Sequence, residues 1–145
     1  MNTVAERTST EPTPAAIAAA LADAERRLTD ARGRAQRAQR DAAREYLRSG
    51  EVTSVTAEIS ALEDVVAGLR QLAIVAAYEK LESEYKAARE ELDAASAAYR
   101  VRPDDTRRLR FAESAAEGSM QRVSAYQLAP ANAAVLADHR KENQL

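Results

Sequence analysis

An unbroken alternation of four and three residues runs through the first third of the chain: Ile17, Leu21, Ala24, Leu28, Ala31, Ala35, Ala38 and Ala42. This spacing keeps one narrow apolar seam on a helix, the pattern by which coiled-coil helices meet. After Leu28 every seam residue is Ala, so two helix axes can approach closely while each contact contributes little. An Ala methyl yields well under the ~1.5–3 kcal/mol of a buried Leu or Val. A bulkier partner helix must fill the gaps.

Composition agrees. Of 145 residues 34 are Ala, whereas Leu, Ile, Val and Phe together total 25. That is a low content of large apolar residues, but the net charge of only -2 keeps the chain out of the disordered class. Four Gly and four Pro leave too little turn chemistry for a many-stranded sandwich or barrel. The expectation is an all-α fold: an elongated antiparallel three-helix coiled-coil bundle with a short C-terminal helix.

Local signals set the boundaries. Residues 1–13 are polar and Thr-rich and read as a flexible N-terminal arm. Thr13-Pro14 is a helix start, a hydroxyl cap followed by a proline at the first helical position. Ser49-Gly50 is a stop, because Gly tolerates the left-handed conformation that ends helices. The first helix thus covers about 14–49. Thr53 or Ser54 can cap a second helix over about 54–101, and Pro103-Asp104-Asp105 a third over about 105–128. Pro130 ends the third helix; Asn132 to Lys141 can form a short last helix in a partly helical tail, 129–145. Residues 14–128 read as one bundle domain.

A reversal pivoting near Val52 sets Ala42 opposite Leu62, Ala38 opposite Val66 and Ala35 opposite Leu69, small against large. Further along, Tyr78, Leu81, Tyr85, Ala88, Leu92, Ala95 and Tyr99 repeat the rhythm. In the third helix the candidates are Leu109, Ala112, Ala116, Met120, Val123 and Tyr126, with Met120 expected near Tyr85 and Tyr126 near Tyr78. The two stripes of the second helix lie on different faces, joined by an all-apolar run from Leu72 to Tyr78. More apolar width remains near the Gly50 end than an Ala seam covers. Tyr46, Leu47, Ile59, Val65, Val66, Leu69 and Leu72 are therefore the candidate protein interface, with a second copy or another protein as partner.

Chemistry has little to draw on. There is no Cys, and the one His is His139 in the tail, so cysteine nucleophiles, thiolate metal sites and Ser-His-Asp arrangements are unavailable. No phosphate-binding glycine loop or metalloprotease motif occurs. The chain reads as a non-enzyme without cofactor or metal. Tyr78, Tyr85 and Tyr99 share a face and read as seam residues whose hydroxyls reach the rim.

Charge is uneven. Residues 25–48 carry net +4, residues 51–98 net -6 and residues 100–110 net +3. Most arginines of the first helix lie in one arc facing away from the Ala seam. Arg34, Arg37, Arg40, Arg44 and Arg48 are accordingly the candidate nucleic-acid contacts, along a phosphate backbone. Asp30 and Asp41 sit within the same arc, and the acidic second helix offers intramolecular complementarity instead. The sequence pI near 5.6 also disfavours a dedicated nucleic-acid binder.

No apolar run approaches the ~20 residues of a membrane-spanning helix. Pro14 to Ala22 lacks the cationic lead-in of a signal peptide and reads as helix. Missing cysteines fit a reducing compartment, so the expected location is cytoplasmic. Tyr78-Glu79-Lys80-Leu81-Glu82 matches Y-x-x-x-[D/E], and a helical hairpin with a tight Gly turn resembles the small secreted hairpins of type VII systems. Their Trp-x-Gly turn is replaced here by Tyr46-Leu47-Arg48-Ser49-Gly50, and no family is assigned. The expected function is that of a helical interaction or assembly protein, self-associating, with nucleic-acid-backbone binding as the alternative.

Overall fold

The computed structural model describes residues 12–52, 56–104 and 106–144. These are all-α: α1 is Pro14–Ser49, α2 Ala57–Val101, α3 Thr106–Leu128 and α4 Pro130–Asn143, with no strand among the described residues. The arm expected over 1–13 lies, as far as residue 11, outside the described residues, as do the caps expected at Thr53, Ser54 and Asp105.

The ends of α1 follow from local chemistry. Thr13 Oγ1 accepts from Ala16 N at 3.2 Å, and Pro14 takes the first position, where no N–H is needed. At the other end Gly50 adopts φ 76° and its N–H donates to Tyr46 O at 2.8 Å. An L side chain pays a steric penalty there that Gly escapes. α2 begins at Ala57, three residues later than expected, and α4 begins at Pro130 rather than Asn132.

Two compact units make up the chain, Met1–Arg70 and Gln71–Leu145. In the first, α1 and the start of α2 run antiparallel. Ala24, Leu28 and Ala31 form a core with Leu62 and Val66, against which Leu21, Ile59 and Leu69 pack. Three exposed cross-helix pairs fix the register: Glu25–Arg70 at 3.0 Å, Arg32–Glu63 at 3.1 Å and Arg34–Glu58 at 2.9 Å.

This register corrects the expected one. Leu62 and Val66 lie at the level of Ala31 and Leu28, not of Ala42 and Ala38, a displacement of about three helical turns. The physical reason is area. Setting Val66 level with Leu28, with Leu21 and Leu69 packed against the same cluster, removes more apolar surface from water than filling alanine gaps. As a consequence α1, from about residue 39 to Ser49, continues past the first residue of α2, by roughly 16 Å.

In the second unit the seam of α2 is as expected. Tyr78 and Ala95 are buried and Leu81, Tyr85, Ala88, Leu92 and Tyr99 half-buried. α3 runs antiparallel, with Arg108 Nε 2.9 Å from Glu91 Oε1 and Tyr126 OH donating to Ile74 O at 3.4 Å. Tyr126 therefore reaches one turn earlier along α2 than Tyr78. Ser119, not Met120, occupies the α3 seam: Ser119 is 3% exposed and Met120 50%. The steps 109, 112, 116, 119, 123 and 126 hold the three-four alternation strictly, whereas Met120 would break it. α4 then turns back along this pair and buries Leu136.

Candidate interaction surface

The seam of α2 in the first unit is Ile59, Leu62, Val66 and Leu69. A second set, Ala61, Val65, Gly68 and Leu72, repeats the same alternation centred about 110° further round the helix. It has a different fate. Ala61 and Gly68 are exposed, Val65 is 49% and Leu72 47% exposed. A Cβ added at Gly68 would meet nothing within 4 Å. Val65 in the first unit thus lies one turn before the open Gly68, a surface another helix could approach closely, and the half-exposed Leu72 follows along α2 one turn later.

The residues proposed from sequence as one interface fall into three places. Ile59, Val66 and Leu69 are spent in the core, Val66 being only 3% exposed, and they leave the candidate surface. Val65 and Leu72 lie on the outer face of α2. Tyr46 and Leu47 are exposed near the end of α1, and Tyr46 lies about 25 Å along the helix from the level of Val65. Val65 and Tyr46 are not brought together.

The arginine arc is largely occupied. Arg34 pairs with Glu58, Arg44 with Asp41 at 2.9 Å and Arg48 with Glu45 at 2.6 Å. Arg37 and Arg40 have no ion pair among the described residues. Each exposed pair is worth about 0.2–1 kcal/mol, so their effect is on register and net potential more than on stability. The arc presents less free positive charge than the residue count suggests.

Polar groups in the second unit gather at two points. Burial raises the Tyr78 phenol above its ordinary value, reinforced by the Glu82 carboxylate and opposed by Arg140. The tyrosine and glutamate of the Y-x-x-x-E pentapeptide stand one helical turn apart on α2. Nearby, His139 Nε2 faces Glu79 Oε1 at 3.5 Å. At the α2–α3 turn an open cleft of about 380 Å³ is lined by Ala95, Ala98, Tyr99, Val101, Arg102 and Arg108. The Arg108 guanidinium holds the Glu91 carboxyl below its usual range, first by a hydrogen bond and then by its charge. Tyr126 is raised by burial alone. Among the described residues no three His, Asp or Glu side chains are grouped to hold a metal ion, and no helix is long and apolar enough to cross a membrane.

No family model, curated protein or solved structure matches the chain. Its functional reading rests on this geometry. Sequence reasoning missed Ala61 and Gly68, although the signal was present. The 61, 65, 68, 72 spacing was hidden because Val65, Val66, Leu69 and Leu72 read as a single wide face.

Proposed function

We propose that the protein is a non-enzymatic helical interaction protein of the cytoplasm that self-associates through the outer face of α2. The observation that carries this reading is the pair Val65 and Leu72, each about half exposed on either side of the open Gly68. A two-fold axis near Gly68 would set Val65 of one copy against Leu72 of the other and let the two helices cross closely at the glycine. Such a contact is self-complementary, as a symmetric dimer requires. Half-exposed residues gain only part of the ~1.5–3 kcal/mol of full burial, so the association is reversible and concentration-dependent.

Light scattering across a concentration series tests this. The wild-type mass should rise above 15.8 kDa toward a multiple of it, and Val65→Asp should hold it at the monomer. Val65 is the right probe because it lies outside the core, whereas Leu69→Asp would unpack α1 from α2. A wild-type chain that stays monomeric throughout, or a Val65→Asp chain that associates equally well, refutes the proposal.

A further inference from the structure

α4 is held on the second unit by Leu136 and by the half-buried side chains Asn132, Val135 and His139. Its one fully buried large side chain is Leu136, 2% exposed. Before it, Asn132 Nδ2 donates to Tyr126 O at 3.0 Å. After it, His139 Nε2 faces Glu79 Oε1 at 3.5 Å, and Arg140 lies close enough to the Tyr78 phenol to act on it, as does Glu82. A basic end of one short helix thus meets an acidic turn of another. Beneath it lies Tyr78, buried although it belongs to a polar residue type.

The joint to α3 is a single residue. Ala129 has φ -59° and ψ 129°, and Pro130 follows. A residue before proline is steered away from the helical region, so α3 and α4 do not fuse and the joint stays a joint. Rotation about Ala129 releases α4 without unwinding any other helix. Local opening of this kind belongs to elements with few buried contacts.

We propose that α4 exchanges between copies. The face of the second unit that receives it, built around Tyr78 and Tyr126, is a docking groove for a short helix bearing a leucine followed three and four residues later by two basic side chains. Its occupant in trans is the α4 of a second copy. The argument is charge and shape identity: the second copy's α4 brings the same Leu136, His139 and Arg140 to the same Glu79 and Glu82. Contacts in cis and in trans are equivalent, so exchange costs chiefly the effective concentration that the tether supplies. This goes beyond the α2 contact and does not depend on it.

The test is fluorescence anisotropy of a labelled peptide of residues 130–143 titrated with the full chain. Leu136→Asp in the chain frees the groove of its own α4, so this variant should bind the peptide at least tenfold more tightly than the wild type. A peptide itself carrying Leu136→Asp should bind neither. A second variant, Arg140→Glu in the chain, sets like charges beside Glu82 and leaves Leu136 in place; it should bind the wild-type peptide more tightly than the wild-type chain does. Equal binding to wild type and variants places the peptide elsewhere and overturns the proposal. So does no binding to variants whose circular dichroism shows the other helices retained. Loss of helix throughout both variants overturns it too, because α4 would then be an integral part of the unit rather than a detachable one.

Discussion

Replacing Leu28 by Ala examines the α1–α2 register through its energetics. Leu28, Leu62 and Val66 are the large buried residues of the cluster between α1 and α2, and the seam neighbours of Leu28, Ala24 and Ala31, are too small to fill the space it leaves. Core Leu→Ala changes cost about 2.7–5 kcal/mol, less where the surroundings can collapse. A two-helix seam collapses more readily than an enclosed core, which puts the expected loss near the lower end, about 3 kcal/mol. At 1.4 kcal/mol per tenfold, amides of α1 around residues 20–35 should exchange with solvent roughly 100-fold faster. Ala42→Leu is the companion. In the observed register Ala42, although half-buried, lies beyond the first residue of α2, so added methylenes meet no α2 seam and should change stability by less than about 1 kcal/mol. Were Ala42 opposite Leu62, the same change would overpack the seam at about 1–3 kcal/mol. Hydrogen exchange resolved by peptide mass reads both variants. A damaging Ala42→Leu with a near-neutral Leu28→Ala would refute the register.

Three further outcomes are expected. Tyr78 and Tyr126 are raised above the ordinary 10.0 by burial, so the fold favours their neutral phenols. Their contribution is fully present below the unfolded value and is lost as pH rises through the folded ones; thermal melts should fall above about pH 10, less steeply for Tyr78→Phe. Thr13→Ala removes the side-chain cap of α1 and should cost about 1 kcal/mol, seen as faster exchange in its first turns. Because Arg34, Arg44 and Arg48 already have carboxylate partners, duplex DNA should show no retardation by the protein at about 50 mM salt, where a dedicated backbone binder holds tightly.

Helix ends were legible in the sequence wherever the signal was local. Thr13-Pro14 and Ser49-Gly50 work through atoms within four residues of themselves, and α1 begins and ends where they place it. The α2 seam from Tyr78 to Tyr99 was also legible, since large residues on a constant rhythm admit one face only. Register was not. A seam of Ala31, Ala35, Ala38 and Ala42 looks alike from turn to turn, so alignments three turns apart preserve the same face. Residues far apart in the chain decide between them, among them Glu25 with Arg70. Met120 misled for a related reason: residue type suggested burial, but helix geometry gives the position to Ser119. The candidate surface was half legible. Val65 and Leu72 stand out from sequence and are half-exposed, whereas Val66 reads as part of the same surface only in a register where the Ala seam of α1 leaves it uncovered.

A single introduced cysteine can report the proposed crossing of two α2 helices, because the chain has none of its own. In Gly68→Cys the thiol sits at the proposed crossing of two α2 helices, where Cα atoms about 4.4–6.8 Å apart permit a disulfide. Under mild oxidation at micromolar concentration this variant should form a covalent dimer far faster than an Arg89→Cys control, and Val65→Asp added to it should abolish the difference. Equal, slow cross-linking of Gly68→Cys and the control would mean that two α2 helices do not cross at Gly68.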